Sequence, residues 1–123
     1  PVVASAGGTV RYVGDMLAGG WAVWIDHGGG WQTRYLHLMP GSIVVKKGQQ
    51  VTQGQKIARV GHSGLERAYG EARAPAAAHL HFEVRKDGTP IDPESVLSKA
   101  KVNLATVALL AVAAWAAVQV FGG

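Results

Sequence analysis

Residues 21–38 have the sequence WAVWIDHGGGWQTRYLHL. Two runs within it, Trp21–Ile25 and Gln32–Leu38, are rich in β-branched and aromatic residues, which favour strands. Three glycines, 28–30, separate the runs, and glycine readily adopts the positive φ angles of tight hairpin turns. The segment therefore predicts two strands joined by a hairpin.

The flanking segments predict further strands. Residues 8–13 form one β-rich run, and residues 79–85 form another, which ends at the turn 86–90. Between them, residues 42–61 contain a short echo, Lys47-Gly48-Gln49 and Gln53-Gly54-Gln55, with Val51 between its copies. This pattern suits a chain that turns tightly, crosses a small barrel and turns again. We expect a mainly β domain over residues 1–98.

Length and composition narrow the class of protein. The 123 residues suit one domain, and a hydrophobic content of 48% excludes a disordered chain. There is no cysteine, which excludes a disulfide scaffold and leaves the redox compartment open. The net charge of +4 is compatible with an anionic partner or with ordinary solubility. Nucleic acid is not expected as a partner, because no platform of basic and aromatic residues is evident.

The carboxyl-terminal sequence changes character. After a short basic linker, 99–103, residues 104–121 carry no charge, and a helix of this length would run about 27 Å, close to the hydrocarbon core of about 30 Å. We expect a transmembrane anchor; the alternative is a buried or subunit-packing helix. No signal peptide is evident at the amino terminus, and Lys99 and Lys101 would favour a cytoplasmic globular part. Small residues in the tail would allow association with other membrane proteins.

The histidines are the residues of this sequence best suited to metal binding or proton transfer. His79 and His81 are two residues apart on a predicted strand, so both imidazoles are expected on one face. Such a pair can supply two metal ligands, or one ligand and a neighbouring acid or base. The plainer alternatives are a solvent-facing pair and, for His37 on its own strand, a hydrogen-bonded structural histidine.

Several motifs occur in one order along the chain. They are Trp24-Ile25-Asp26-His27-Gly28-x-Gly30, Thr33-x-Tyr35-x-His37-Leu38, Val44-x-x-x-Gly48-x-x-Val51-x-x-Gly54-Gln55-x-Ile57, Gly61-x-Ser63-Gly64, His79-Leu80-His81-Phe82-Glu83-Val84 and Asp92-Pro93. Together they resemble the M23 family of lysostaphin-type and LytM-type zinc peptidases. The resemblance covers residues 1–93. It implies a small antiparallel barrel-sandwich fold with a groove, in which Zn²⁺ activates water to cut peptidoglycan peptides.

The resemblance also implies roles for individual residues. His81 corresponds to a zinc ligand. His37 and His79 correspond to catalytic residues beside the metal-bound water and the scissile carbonyl, as base or as hydrogen-bond donors. His27 and His62 match no catalytic position. We expect His27 to lie at the end of a strand and His62 to lie in a turn.

The sequence departs from the family at two places. The family's other two zinc ligands lie in a His-x-x-x-Asp motif upstream of the segment that residues 1–4 resemble, and the printed sequence does not contain it. Three explanations stay open: a fragment, a degenerate relative that binds without catalysis, or a rebuilt site of His37, His79 and His81. In addition, residues 65–78 form a longer connection than the family usually has. Its Glu66 and Glu71 can replace a lost ligand, or the loop is a solvated lid or partner-contact surface.

The biological setting follows from these features as an expectation. Pro1 fits a start exposed by removal of methionine, which favours degeneracy or repurposing. A wall-directed domain with a tail anchor and no signal peptide suggests a bacteriophage virion or lysis protein, located in a virion membrane or the host envelope. The pattern Gly48-Gln49-x-Val51-x-x-Gly54-Gln55 also resembles biotinyl and lipoyl carrier domains. However, no lysine lies where such a carrier would need its attachment site.

Overall fold

The computed structural model describes residues 1–94, which form eight strands. The strands are β1 (Val2–Val3), β2 (Gly8–Asp15), β3 (Trp21–Gly28), β4 (Trp31–Leu38), β5 (Gln50–Val51), β6 (Lys56–Ala58), β7 (His81–Lys86) and β8 (Thr89–Ile91). One short helix, α1 (Glu66–Tyr69), and two 3-10 turns, Leu17–Gly19 and Ala74–Ala77, lie in the connections. The mainly β prediction is confirmed for this part of the chain.

The strands form one antiparallel sheet and one separate pair. The six-stranded sheet has the order β5-β2-β3-β4-β7-β8, and β1 pairs with β6. Side chains alternate between the two faces of a strand, so every second residue points to the same side. One face of the sheet packs on the β1–β6 pair through a core that includes Val2, Ile25, Tyr35, Ile57 and Val84. The other face carries polar and aromatic side chains and is open to solvent.

The predicted strands agree with the observed strands, except at the start of β7. The runs around residues 8–13, 21–25 and 32–38 lie in β2, β3 and β4, which extend a few residues further. The strand predicted over residues 79–85 instead begins at His81, so His79 precedes it. The sequence pattern did not show β1 or β8, because strands of two or three residues carry almost no periodicity.

The echoed Gly-Gln segments form the same turn twice. Gly48 and Gly54 both have positive φ, 89° and 83°. In each copy the glutamine side chain accepts a hydrogen bond from a backbone N–H three residues earlier, Gln49 from Lys46 and Gln55 from Thr52. The strand between the turns pairs with β2, and the strand after them pairs with β1. The chain therefore crosses from the large sheet to the small pair, as the repeat indicated.

A buried polar network lies inside the core around Tyr35. Its hydroxyl accepts a hydrogen bond from the Ser5 N–H at 2.9 Å and lies 2.8 Å from Thr33 Oγ1. Thr33 Oγ1 is 2.7 Å from His27 Nε2, and His27 Nδ1–H donates to the Gly7 carbonyl at 2.8 Å. His27 is thus a structural residue near the end of β3, in agreement with its expected role. The network joins the amino-terminal segment to β3 and β4.

We expect Tyr35→Phe to lower the free energy of unfolding by about 1–3 kcal/mol, because it leaves the Ser5 N–H buried without its acceptor. The ring itself is retained, so the change isolates the hydroxyl. Urea denaturation would measure the effect. Tyr69→Phe is the control, because the Tyr69 side chain is 50% exposed and its loss of a hydroxyl is expected to cost less than about 0.5 kcal/mol. Equal effects of the two substitutions would contradict this prediction.

Stability is expected to depend on pH through His27. Burial lowers the pKa of His27, although the hydrogen bond to Gly7 and the charge of Asp26 raise it. The folded state therefore favours the neutral imidazole. Stability from this group is fully present above the unfolded-state pKa of about 6.5 and is lost as the pH falls through that value toward the lower folded-state pKa. Urea midpoints at pH 8 and pH 5 should differ less in His27→Gln than in the parent; an unchanged difference would contradict the prediction.

The predicted anchor, residues 104–121, and the linker, residues 99–103, lie outside the described residues. Within residues 1–94, no helix is long and apolar enough to cross a membrane.

Candidate functional site

His37 lies at the end of β4 in an unusual backbone conformation. Its φ is 61°, in the left-handed region that side chains other than glycine rarely adopt. β4 pairs with β7 only as far as Leu36 opposite His81, so His37 lies just past the last pair of that ladder. Its Nδ1–H donates to the Ser63 carbonyl at 2.8 Å, and Nε2 is left as the free acceptor. The turn of the backbone and this hydrogen bond together orient the ring.

Ser63 is held against the start of β3 by contacts from several sides. Its Oγ donates to the Leu38 carbonyl at 2.6 Å and accepts from the Trp21 N–H at 2.9 Å. Gly20 allows this approach: a Cβ at that position would lie 2.0 Å from the Ser63 carbonyl oxygen. The φ and ψ of Gly20, 66° and −157°, are also values that essentially only glycine adopts. The partner of His37 is therefore fixed by tertiary contacts.

His79 and His81 approach His37 from the beginning of β7. His79 precedes the strand, and its Nδ1–H donates to the Ala77 carbonyl at 2.7 Å, so its Nε2 is free. His81 is the first residue of β7; its Nε2 lies 2.8 Å from a carboxylate oxygen of Glu83, so its Nδ1 is free. Within residues 1–94, each ring therefore has one nitrogen bonded to the protein and one without a partner. Such anchoring is typical of histidines that bind metals or transfer protons.

The three rings form a cluster at one end of the sheet, which we call the histidine cluster (His37, His79 and His81). The ring centroid of His37 is 5.2 Å from that of His79 and 5.9 Å from that of His81. The resemblance predicts that the three histidines lie near one another, and the structure brings them together. It places His79 on a loop instead of the predicted strand.

Burial and neighbouring groups keep His37 neutral and Glu83 charged. Burial lowers the pKa of His37; the hydrogen bond to Ser63 opposes this, and the two other imidazoles of the cluster lower it further. His37 is therefore neutral near pH 7, with a free Nε2. Burial alone would raise the pKa of Glu83, but the hydrogen bonds from His81 and Arg85 outweigh it and lower the pKa. Glu83 is thus a carboxylate that orients the His81 ring.

The loop of residues 65–78 lies beside the cluster. It contains α1 and a 3-10 turn, and most of it is exposed. Glu66 bonds to His62 Nδ1 at 2.9 Å, on the loop that also carries Ser63. Among residues 1–94, no three His, Cys, Asp or Glu side chains are grouped so that they could hold a metal ion. Neither the rebuilt three-histidine site nor a glutamate replacement is therefore supported there.

Two positioning residues were not identified from the sequence. Ser63 occurs in the quoted Gly61-x-Ser63-Gly64 motif and Glu83 in the motif around His81, but neither had been given a role. Glu83 could have been found, because it lies two residues after His81 and so shares its face of β7. Ser63 gave no local signal, since its contact with His37 joins positions 26 residues apart.

Comparison with known proteins identifies relatives over the described part. Residues 1–93 match the sequence model of Peptidase family M23. The Lipoprotein NlpD/LppB homolog of Pseudomonas aeruginosa is 39% identical over 100 residues, which cover 80% of this chain and 30% of that protein. Peptidoglycan DD-endopeptidase ShyA of Vibrio cholerae is 39% identical over 92 residues, which cover 75% and 19%. The chain thus spans less than a third of the length of either relative.

Solved structures agree with these matches. The crystal structure of a zinc containing peptidase from Vibrio cholerae superposes with a TM-score of 0.59 and 41% sequence identity. The superposition covers 71% of this chain and 24% of that one. The antiparallel fold described above is therefore shared with a zinc peptidase over most of the described residues.

Proposed function

Because this chain belongs to peptidase family M23, we propose that residues 1–94 are the core of a zinc endopeptidase domain that cuts peptide bonds of peptidoglycan. The histidine cluster carries this proposal, because it brings together three imidazoles at one end of the sheet, each with one nitrogen that has no partner within residues 1–94. A relative named as a peptidoglycan endopeptidase and a superposable zinc peptidase support the substrate and the metal.

The cluster divides naturally into a metal-binding and a catalytic part. We assign His81 Nδ1 as a zinc ligand, oriented by the bond between its Nε2 and Glu83. Zinc peptidases normally use three protein ligands, so His81 fits as one member of a set. We expect the others in the family's His-x-x-x-Asp motif, outside the printed residues. When bound, zinc would lower the pKa of its water and polarise the substrate carbonyl.

His37 and His79 handle protons in this proposal. Both donate through Nδ1 to a backbone carbonyl, which leaves Nε2 facing outward as acceptor. A neutral imidazole with a free Nε2 can take a proton from water and give one to the leaving amine near neutral pH. The lowered pKa of His37 keeps its ring in the unprotonated form that a general base must have before the reaction.

The test is zinc content and peptidoglycan hydrolysis of the protein in its natural form, purified from the cells that make it. We expect one zinc per domain and release of new amino termini from purified peptidoglycan. His81→Ala should lose both, whereas His62→Gln, a matched change outside the cluster, should keep both. Hydrolysis that persists at parental rate in His81→Ala would refute the assignment.

A second candidate is a non-catalytic, wall-binding domain on the same fold. The observation in its favour is that residues 1–94 contain no complete three-ligand metal set. If the domain is non-catalytic, the natural protein should bind insoluble peptidoglycan without retaining zinc or releasing peptides. The same assays therefore separate the two candidates.

We further propose attachment to the cell envelope through residues 104–121, whose sequence is uncharged over 18 residues. The name of the Pseudomonas relative, a lipoprotein, supports an envelope setting of this kind. Removal of residues 104–121 should release the protein from carbonate-washed membranes. The bacteriophage setting stays a prediction.

A further inference from the structure

The solvent face of the sheet carries arginine side chains further along the strands from the histidine cluster. His81, Glu83 and Arg85 alternate with buried residues along β7, so all three point to that face. The register of β4 against β7 puts Arg34 directly opposite Glu83. Arg34 and Arg85 therefore lie on the same face as His81, further along the sheet.

Arg34 is held in place but has no anionic partner of its own. Its guanidinium carbon lies 3.5 Å from the ring centroid of Trp24, and its Nε donates to Gln32 Oε1 at 2.7 Å. Among residues 1–94, its two terminal nitrogens have no hydrogen-bond or ion-pair partner. Stacking and one hydrogen bond thus fix the plane of the guanidinium and leave its outer edge free.

Two of the carboxylates near Arg34, Glu83 and Asp26, are bonded to other groups. Glu83 accepts hydrogen bonds of 2.8 Å from His81 and Arg85, which flank it on the same face of β7. Asp26 accepts one of 2.8 Å from the Gln32 side-chain amide. Burial, followed by the nearby charge of Arg85, lowers the pKa of Arg34, although Glu83 and Asp26 raise it. Within residues 1–94, Arg34 is therefore not neutralised by an ion pair of its own.

An open cleft of about 390 Å³ lies over this region. Three arginines, Arg11, Arg34 and Arg85, and two aspartates, Asp26 and Asp87, are among the residues that line it, together with Trp31 and Gln32. Its volume is within the range of about 300–1,000 Å³ typical of small-molecule sites. The cleft can therefore admit a carboxylate together with part of the chain that carries it.

Resting on the peptidase function proposed above, we propose that Arg34 binds a carboxylate of the peptide that lies across the histidine cluster, with Arg85, whose Nε and Nη2 are already bonded to Glu83, adding positive charge beside it. A guanidinium binds a carboxylate through two parallel hydrogen bonds, which gives both attraction and orientation. At about 3.4 Å per residue along β7, Arg85 lies about 13 Å from His81, and Arg34, opposite Glu83, lies closer. The recognised carboxylate thus belongs to a residue about two to four positions from the bond beside His81.

The test compares two matched pools of soluble peptides released from purified peptidoglycan. One pool is untreated, and in the other the carboxylates are converted to primary amides with carbodiimide and ammonium chloride. Tryptophan fluorescence measures Kd, since Trp24 and Trp31 adjoin the site. We expect the parent to bind the untreated pool about tenfold more tightly, as for one charge-assisted bidentate contact.

Arg34→Gln is expected to remove this preference, and Arg34→Lys, which keeps the charge without the planar fork, to retain only part of it. Arg59→Gln is the charge-matched control, because Arg59 is exposed and lies outside the cleft. Parent protein that binds neither pool, or binds both equally, would overturn the proposal; the former would favour an acidic partner protein as occupant. A preference that persists in Arg34→Gln would overturn it too.

Hydrolysis is measured on the same preparations to keep the two proposals apart. A carboxylate preference that depends on Arg34, without hydrolysis, refutes the peptidase function and supports the binding site. Hydrolysis without a carboxylate preference supports the peptidase function and refutes the binding site.

Discussion

Replacing His37 with glutamine is expected to lower kcat for peptidoglycan hydrolysis by about 100- to 10,000-fold, with zinc content unchanged. Glutamine can still donate to the Ser63 carbonyl, but it cannot take up a proton near neutral pH. The free Nε2 of His37 and its low pKa are the reasons to expect a proton-transfer role. Initial rates of amino-terminus release, with zinc measured on the same samples, would give both values.

His62→Gln is the control for this prediction. His62 is bonded to Glu66 and lies outside the histidine cluster, so its loss should leave kcat within about twofold of the parent. A His37→Gln protein that loses zinc would point to a ligand role instead. Full activity in His37→Gln would refute a catalytic role for this residue.

Gly20→Ala is expected to lower the free energy of unfolding by about 3 kcal/mol or more. The added Cβ would lie 2.0 Å from the Ser63 carbonyl oxygen, so backbone must move on one side of the contact. The backbone angles of Gly20 are themselves costly for alanine. Urea denaturation would measure the loss, and the His37 ring resonances in an NMR spectrum should shift as the Ser63 carbonyl moves.

Gly54→Ala separates the two causes. Gly54 also has a positive φ, 83°, but nothing lies within 4 Å of its Cβ position. Replacing Gly54 with alanine should therefore cost only the strain of a side chain at positive φ, about 1–2 kcal/mol. Similar losses for Gly20→Ala and Gly54→Ala would show that the contact with Ser63 does not constrain the fold.

Local patterns accounted for much of the β architecture. β2, β3 and β4 were predictable because β-branched and aromatic residues alternate along them and glycines bound them. The repeated Gly-Gln turns were also predictable from local sequence, because their hydrogen bonds join residues only three positions apart. The start of β7 was placed two residues too early, because His79 continues the alternation although its Nδ1 bonds within the preceding loop.

The candidate site was only partly visible in the sequence. The motifs around His37, His79 and His81 named the three histidines, and their resemblance to a known family suggested roles. The anchoring of His37 and His79 was not visible, because every residue has a backbone carbonyl like those of Ser63 and Ala77. Arg34 likewise had no distinguishing neighbour along the chain; Trp24 and Glu83 flank it only across the sheet.

The sequence by itself determined which segments become strands, where they turn and which side chains share a face. These properties depend on residues within a few positions of one another, where steric preference and alternation act directly. Tertiary structure alone decided that β4 lies beside β7, that the loop of Ser63 closes against Gly20, and that Arg34 lies opposite Glu83. Strand partners are chosen by burial of a common core, which sums over the whole sheet, so no single segment specifies them.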